Sequence, residues 1–532
     1  GNTLTLNADS YDRIYWPVVL QGDGAVAANF SGGEVRGGVL ATANIVVTLA
    51  AGGTADHIGT VNLDGTTVSI GSALTPGTSA VIVNGNADGS EMAATITGGS
   101  SVSIGGNNAF GVRLTGSGVG NTGSVTVDGA SQITASNSVN IDISNPGLHK
   151  ATAISVETSG ASSMGYVSLS GDADVSASAT NALNLALSTG VSNKAGDGGV
   201  QTIVDNASLS STATSLETST AFGIDNQSVG GVAEATVKGA GSVSAAVETF
   251  TILGSGVQAS ATAIRNASDT QNAFVSVTEG GTLVSEANGE EAYATASGIL
   301  NTAGLEAAVR VDTGSTVDAN ATSTDSYAVA TAIENRAETE ARARVRGGST
   351  ITATATGAAS AGLGGFAAKS TGLLNASTAG DASTVIDDMS GVSAEAYSTT
   401  DNTSALAVNT FTSLGEARTV LDNGSKADAL AQSELDATAL AVRNFSYDGG
   451  SRVELDNGSS ISASADSVAG SASATGIMAV GVGGDAIVRL LGASDVSVDV
   501  SGSDVYAYGV MNTLSGAGTA GVAIDAGSVV DV

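Results

Sequence analysis

Ser451-Arg452-Val453-Glu454-Leu455-Asp456-Asn457-Gly458-Ser459-Ser460-Ile461-Ser462-Ala463-Ser464-Ala465 reads as two alternating runs joined at a corner. Val453 and Leu455 share one face, and so do Ile461, Ala463 and Ala465, while polar residues fill the positions between them. A period of two places successive side chains on opposite faces of a strand. Asp-Asn-Gly supplies the residues that tolerate the left-handed backbone a sharp turn needs.

The same phrase, Val-x-Val/Leu-Asp-x-Gly, recurs at Val61-Asn62-Leu63-Asp64-Gly65, Val125-Thr126-Val127-Asp128-Gly129, Val309-Arg310-Val311-Asp312-Thr313-Gly314 and Val522-Ala523-Ile524-Asp525-Ala526-Gly527. The apolar residue before the corner marks the beat: Leu63, Ile96, Val127, Leu169, Val204, Val237, Val277, Val311, Val345, Ile386, Leu421, Leu455, Leu490 and Ile524. The spacing is most often 34 or 35 residues and stretches to 40–42 before Leu169, Val277 and Ile386. Gly follows two or three residues after every marker except Val204 and Ile386.

A second phrase keeps the beat: Ala261-Thr262-Ala263-Ile264-Arg265-Asn266, Ala296-Ser297-Gly298-Ile299-Leu300-Asn301 and Ala330-Thr331-Ala332-Ile333-Glu334-Asn335. A third alternating run, such as Ile351-Thr352-Ala353-Thr354-Ala355, lies between the two. Three strands per repeat make one coil, so the reading is an all-β, right-handed parallel β-helix, a triangular β-solenoid of about 14 coils of about 34 residues. The run Glu334–Arg346 is rich in helix formers, yet its charges fall on every second residue and would leave a helix without an apolar stripe. It is expected to be a bent strand or a strand pair. Residues 1–45 fit the beat poorly and hold Tyr11, Arg13, Tyr15, Trp16 and Pro17; they are expected to form an N-terminal cap or irregular first coils, with the solenoid over 46–532.

Composition agrees. The 532 residues include 72 Gly, 3 Pro, no Cys and only 3% aromatics, a diet suited to a thin stacked interior and to export through an oxidising compartment. The formal net charge of −33 repels phosphate backbones, so nucleic acid is not an expected partner. No run of eighteen apolar residues occurs, so no membrane-spanning segment is expected, and a chain opening at Gly1 reads as a processed form or a fragment.

The turn phrase, the Ala/Ser/Thr/Val/Gly diet, the acidic balance and the lack of Cys together resemble the passenger domains of type V secretion autotransporters. They are also similar to the filamentous-haemagglutinin type of adhesin. The likeness spans roughly residues 46–532 and is one of style. It implies a bacterial extracellular or cell-surface protein, exported unfolded, that serves as an adhesin, stalk or filament subunit without catalysis. Implied partners are host or neighbouring-cell surface molecules. End-to-end self-association into filaments is a further expectation, drawn from Val522–Val532, which completes one strand, turns a corner and stops inside the next without a cap; the alternative is a chain that continues beyond Val532.

Chemistry is sparse. His57 and His149 stand nearly three coils apart in Gly- or Pro-rich surroundings, read as surface loops, so a nucleophile with its base is not expected. Asp64, Asp128, Asp205, Asp312, Asp387, Asp422, Asp456 and Asp525 occupy equivalent corners. Like charges stacked at coil spacing repel, so each carboxylate either caps its own corner or shares an intercoil cation. Asp387, Asp422 and Asp456 are therefore the candidate metal ligands, with calcium the candidate ion; corner capping is the preferred reading and no cofactor is expected. The same column beside Arg418 or Arg452 carries the alternative, a glycan-active polysaccharide lyase or hydrolase, which needs clustered carboxylates in one groove. The long repeats are spread along the chain, which favours a scaffold. Asn226, Asn266, Asn301, Asn335, Asn375, Asn444 and Asn512 recur at the second phrase and are expected to stack as an amide ladder.

Overall fold

A computed structural model describes residues 2–7, 13–15, 17–22, 24–36, 43–49, 57–73, 76–138, 149–181, 184–250, 257–358, 365–525 and 527–532. The chain is an all-β parallel β-solenoid of about 14 coils and about 34 residues per turn, 72% strand. It divides into two compact units, residues 1–248 with 263–271, and residues 249–262 with 272–532.

Each coil has three strands, and every one alternates. In the coil Glu306–Val311, Thr316–Ser323, Ala328–Ala337, the second strand turns Val317, Ala319 and Ala321 inward and Thr316, Asp318 and Asn320 outward. β-Branched residues suit this half-buried pleated surface. Coils then stack in register, each strand pairing in parallel with its counterpart in the next coil at ~4.8 Å. In the second unit Val277, Val311, Val345, Ile386, Leu421, Leu455 and Leu490 pair successively and are buried, the single apolar column that the beat predicts. In the first unit the column runs Phe30, Leu63, Ile96, Val127, Leu169, Val204 and Val237. Elsewhere the interior is thin enough for alanine alone: Ala307, Ala337, Ala341 and Ala382 pack on one another. The charged run resolves into the strands Ala328–Ala337 and Glu340–Val345, with Ala341, Ala343 and Val345 inward and Arg342 and Arg344 outward.

The corner after each marker strand uses left-handed backbone. At the two markers not followed by Gly, other residues take it: Asn206 at φ 49°, and Asp388 and Met389 at φ 54° and 58°. A third signature was not read in advance. The third strand is not a straight side, because alternation breaks once within it and two consecutive residues turn inward, as at Gly298-Ile299. The pairing skips the first residue of that pair, running Ser297↔Thr331 and then Ile299↔Ile333. The skipped residue is a small one in most of these strands, Gly111, Ala153, Gly190 and Gly223 in the first unit and Gly298, Ala332, Gly372, Ala407 and Ala441 in the second, while Ala43–Leu49 has Asn44 there. A Cβ on Gly298 would meet the Ala332 carbonyl oxygen at 2.5 Å and Val317 Cγ1 at 2.6 Å, so at this bend even a methyl group would force a shift.

Just past the bend lies the amide ladder. Asn301 Nδ2 donates to the Ala273 carbonyl at 3.0 Å and to Asn335 Oδ1 at 2.8 Å; Asn335 Nδ2 donates to the carbonyls of Ala307 and Arg342, both at 3.0 Å, and to Asn375 Oδ1 at 2.8 Å. Each amide thus donates to backbone carbonyls of first strands, the strands that follow the turn from the third strand into the next coil. One coil substitutes Thr410, and Thr384, Thr410 and Thr419 relay the network to Asn444 through contacts of 2.8, 2.8 and 2.6 Å.

Residues before 46 also carry strands in this scheme. Asn2–Asn7 pairs with Val26–Ser31, and Val18–Gly22 pairs with Ala43–Leu49. Tyr11 and Trp16, expected in a cap, lie outside the described residues.

Candidate binding surfaces

The corner aspartates were the sequence's best-marked carboxylates. Asp387 Oδ1 accepts the backbone N–H of Asp388 at 2.7 Å and the side-chain amide of Asn423 at 2.8 Å. Asp422 Oδ1 accepts the N–H of Asn423 and the amide of Asn457, each at 2.7 Å, and Asp456 Oδ1 accepts the N–H of Asn457 at 2.8 Å. Each of these three carboxylates therefore caps its own corner, and Asn423 and Asn457 reach back as neutral donors between stacked charges. Asp312 is held differently. Burial pushes its carboxyl up, but hydrogen bonds from Arg346 (2.8 Å) and Arg310 (3.2 Å) outweigh this and hold it at about 2. Among the described residues, no three carboxylate or imidazole groups are gathered as a metal cluster.

Both histidines are buried, which corrects the surface-loop reading: His57 is 7% and His149 8% exposed. His149 begins the strand His149–Thr158, where the inward side of the alternation takes it, and its Nδ1 lies 3.2 Å from the Thr180 carbonyl oxygen. His57 Nδ1 has no partner among the described residues.

An open groove of about 650 Å³ runs across several coils of the second unit, at the corner between second and third strands. Thr356, Tyr397, Gln432 and Asp466 follow one another in register as the outward residues at the end of the second strand, and Glu434 and Val468 lie just beyond. Tyr397 Oη donates to Glu395 Oε2 at 2.8 Å. Burial, that hydrogen bond and the Glu395 charge push the phenol up to about 12, so it stays a donor at any physiological pH. The groove is lined with hydroxyls, an amide, a phenol and two carboxylates, a set suited to a polyhydroxylated ligand.

The carboxylates of the alternative reading stand elsewhere. Asp387, Asp422 and Asp456 occupy the corner between first and second strands, a whole strand away from the groove. Arg418 and Arg452 turn to Glu454, at 3.8 and 3.0 Å, and not to that column. The long repeats are spread over separate coils as expected, with one feature the spacing did not give. Their extra residues all enter at one corner of the coil, between second and third strands: between Ser138 and His149 in the first unit, and between Thr249 and Gln258 and between Thr356 and Ala368 in the second. The groove borders the last of these. Sequence reasoning missed the groove because its residues share no motif, only a register, although the common insertion corner could have been read from the phrase order. No helix among the described residues is long and apolar enough to cross a membrane. No family model, curated protein or solved structure matches the chain.

Proposed function

We propose that the chain is a structural and adhesive module of a bacterial cell surface or extracellular space, binding surface molecules without transforming them. What supports this reading most is where the chemistry goes. The repeated polar residues are consumed in holding corners and bends, Asp422 and Asp456 on backbone N–H groups and Asn301 and Asn335 on carbonyls, while the outward residues of the strand faces differ from coil to coil. Such faces suit extended contact, and the groove around Tyr397 offers a shallow seat for one polyhydroxylated segment. The test is to present the whole chain with neutral and acidic polysaccharides, measure retention, and assay the supernatant for new reducing ends and unsaturated products. Retention without product is expected.

The groove's Glu434 and Asp466 keep one rival in play, glycan cleavage by a carboxylate pair. Product that appears with the parent chain and disappears in both Glu434→Gln and Asp466→Asn would replace the adhesive reading.

A further inference from the structure

The bend of the third strand has a different consequence on the outside of the first unit. Four third strands stack there, Ala109–Gly116, His149–Thr158, Leu185–Ala195 and Thr218–Ser228. Outward positions on either side of the bend align as Phe110, Thr152, Thr189 and Phe222, and as Arg113, Ser155, Ser192 and Asp225. Outward residues of a solvated face are normally open to water, yet Thr152 is 0%, Ser155 1%, Thr189 4%, Asp225 5% and Ser192 6% exposed. The bend and the long side chains above it therefore close these positions into a trough.

The trough collects positive charge. Arg113, Lys150, Lys194 and Arg265 line it against two carboxylates, in a chain with only 18 basic residues and a net charge of −33. Glu157 is taken by Arg113 at 3.6 Å, and Asp225 by Arg265 at 2.7 Å and Lys194 at 3.6 Å. Lys150 has no carboxylate within ion-pair distance among the described residues; its ammonium sits 5.4 Å from the centre of the Phe110 ring, whose other cation is Arg113 at 4.7 Å. Burial, with the charges of Lys194 and Arg113, lowers its pKa despite Glu157. Arg113 Nε and Thr152 Oγ1 are buried without partners among the described residues. A lysine with no carboxylate partner, set near two other cations and an Arg113 Nε with no acceptor, is an arrangement that favours an anion.

We propose that this trough binds an acidic polysaccharide, with a carboxylate or sulfate group of the sugar seated between Lys150 and Arg113. The inference rests on the adhesive reading and supplies its ligand class. Arg113, Lys150 and Lys194 stand on three successive coils but at different points along their strands, Arg113 level with Ser155, Lys150 with Leu187 and Lys194 with Glu157, so they form a spread basic patch that a flexible polyanion can engage through more than one of its charges. The strongly negative remainder of the chain disfavours broad anionic surfaces, which cannot approach one trough without meeting it.

Isothermal titration of the full chain with hexagalacturonate, a sulfated oligosaccharide of similar length and uncharged maltohexaose tests this. Saturable binding is expected for one or both acidic sugars, the better one naming the anion, and weakens with added salt. Lys150→Met keeps the side chain's bulk and should lower affinity about tenfold or more, with Lys150→Arg restoring most of it and Lys369→Met, in the second unit, changing nothing. Melting curves matching the parent's verify that each variant is folded. Equal affinity for maltohexaose, no binding of either acidic sugar, or equal weakening by Lys150→Met and Lys369→Met overturns the proposal. If the chain is still retained on other polysaccharides without product, only this site falls and the adhesive reading stands.

Discussion

The bent third strand appears in both units with the same inner side and opposite outer sides. Inside, both have a Gly or Ala at the bend, and buried Asn rungs just past it, Asn193, Asn226 and Asn266 in one unit and Asn301, Asn335 and Asn375 in the other. Outside, the first unit presents Arg113, Lys150, Lys194 and buried hydroxyls, whereas the second presents Leu374, Leu406, Leu440 and Met478 on successive coils, with Asn409 and one cation, Arg443, in the row of Leu374 and Met478 and with Phe411, Phe445 and Tyr447 packed edge and face beside them. The inner side is constrained by space and by hydrogen-bond accounting, and the outer side by neither. What is repeated in this chain specifies the fold, and what differs between repeats is free to specify partners.

The comparison breaks most visibly at the inner side. Leu455→Asp places a carboxylate in a dry column between Leu421 and Leu490 and should cost about 3–5 kcal/mol or abolish cooperative melting of the second unit. Asn335→Ala leaves the Ala307 and Arg342 carbonyls and Asn375 Oδ1 without their donor, and a loss of about 2–4 kcal/mol is expected by denaturant titration, more than for any single outward polar residue on the same strand. Both units should answer alike, so Asn226→Ala provides the matching measurement.

A smaller effect separates the corners. Asp312 has a folded pKa of about 2, below its unfolded value of about 3.9, so the unfolded chain binds the extra proton between these values. Its contribution is fully present above about pH 5, and is lost as pH falls through 4 towards 2. The stability gap between Asp312→Asn and the parent chain should follow that window, and because both arginines are partly exposed it should stay near 1 kcal/mol or less. The remaining corners carry the smallest expectation. Since Asp387, Asp422 and Asp456 are capped by N–H groups and amides, chelator should leave the melting temperature unchanged; a clear fall would put cations between the coils.

The coil architecture was legible because it rests on periodicity. The alternation around Val453 and Leu455, the beat of the markers and the charges on every second residue near Arg342 each demand a strand, and stacking follows once no repeat can bury its own face. The bend was less legible. The Ala-Ser-Gly-Ile phrase contains it, but a single small residue inside an alternating run looks like ordinary variation until the register skips it. The histidines were misread because their flanks, Gly, Asp and Pro, describe the neighbouring connections and not the strand face that buries His149. The groove and the trough were not legible at all. Tyr397 and Asp466, or Arg113 and Lys194, are brought together only by knowing which residue of one coil sits over which of another.

A lysine scan of the strand Tyr293–Ala303, read by thermal melting, tests the inside-outside account most directly. Lysine should be strongly destabilising at Ala294, Ala296, Gly298, Ile299 and Asn301 and nearly neutral at Thr295, Ser297, Leu300 and Thr302, an alternation that breaks once, at Gly298-Ile299. Alternation that runs unbroken through that pair, or sensitivity without any period of two, would contradict the bent, stacked strand on which both the shared interior and the divergent outer faces depend.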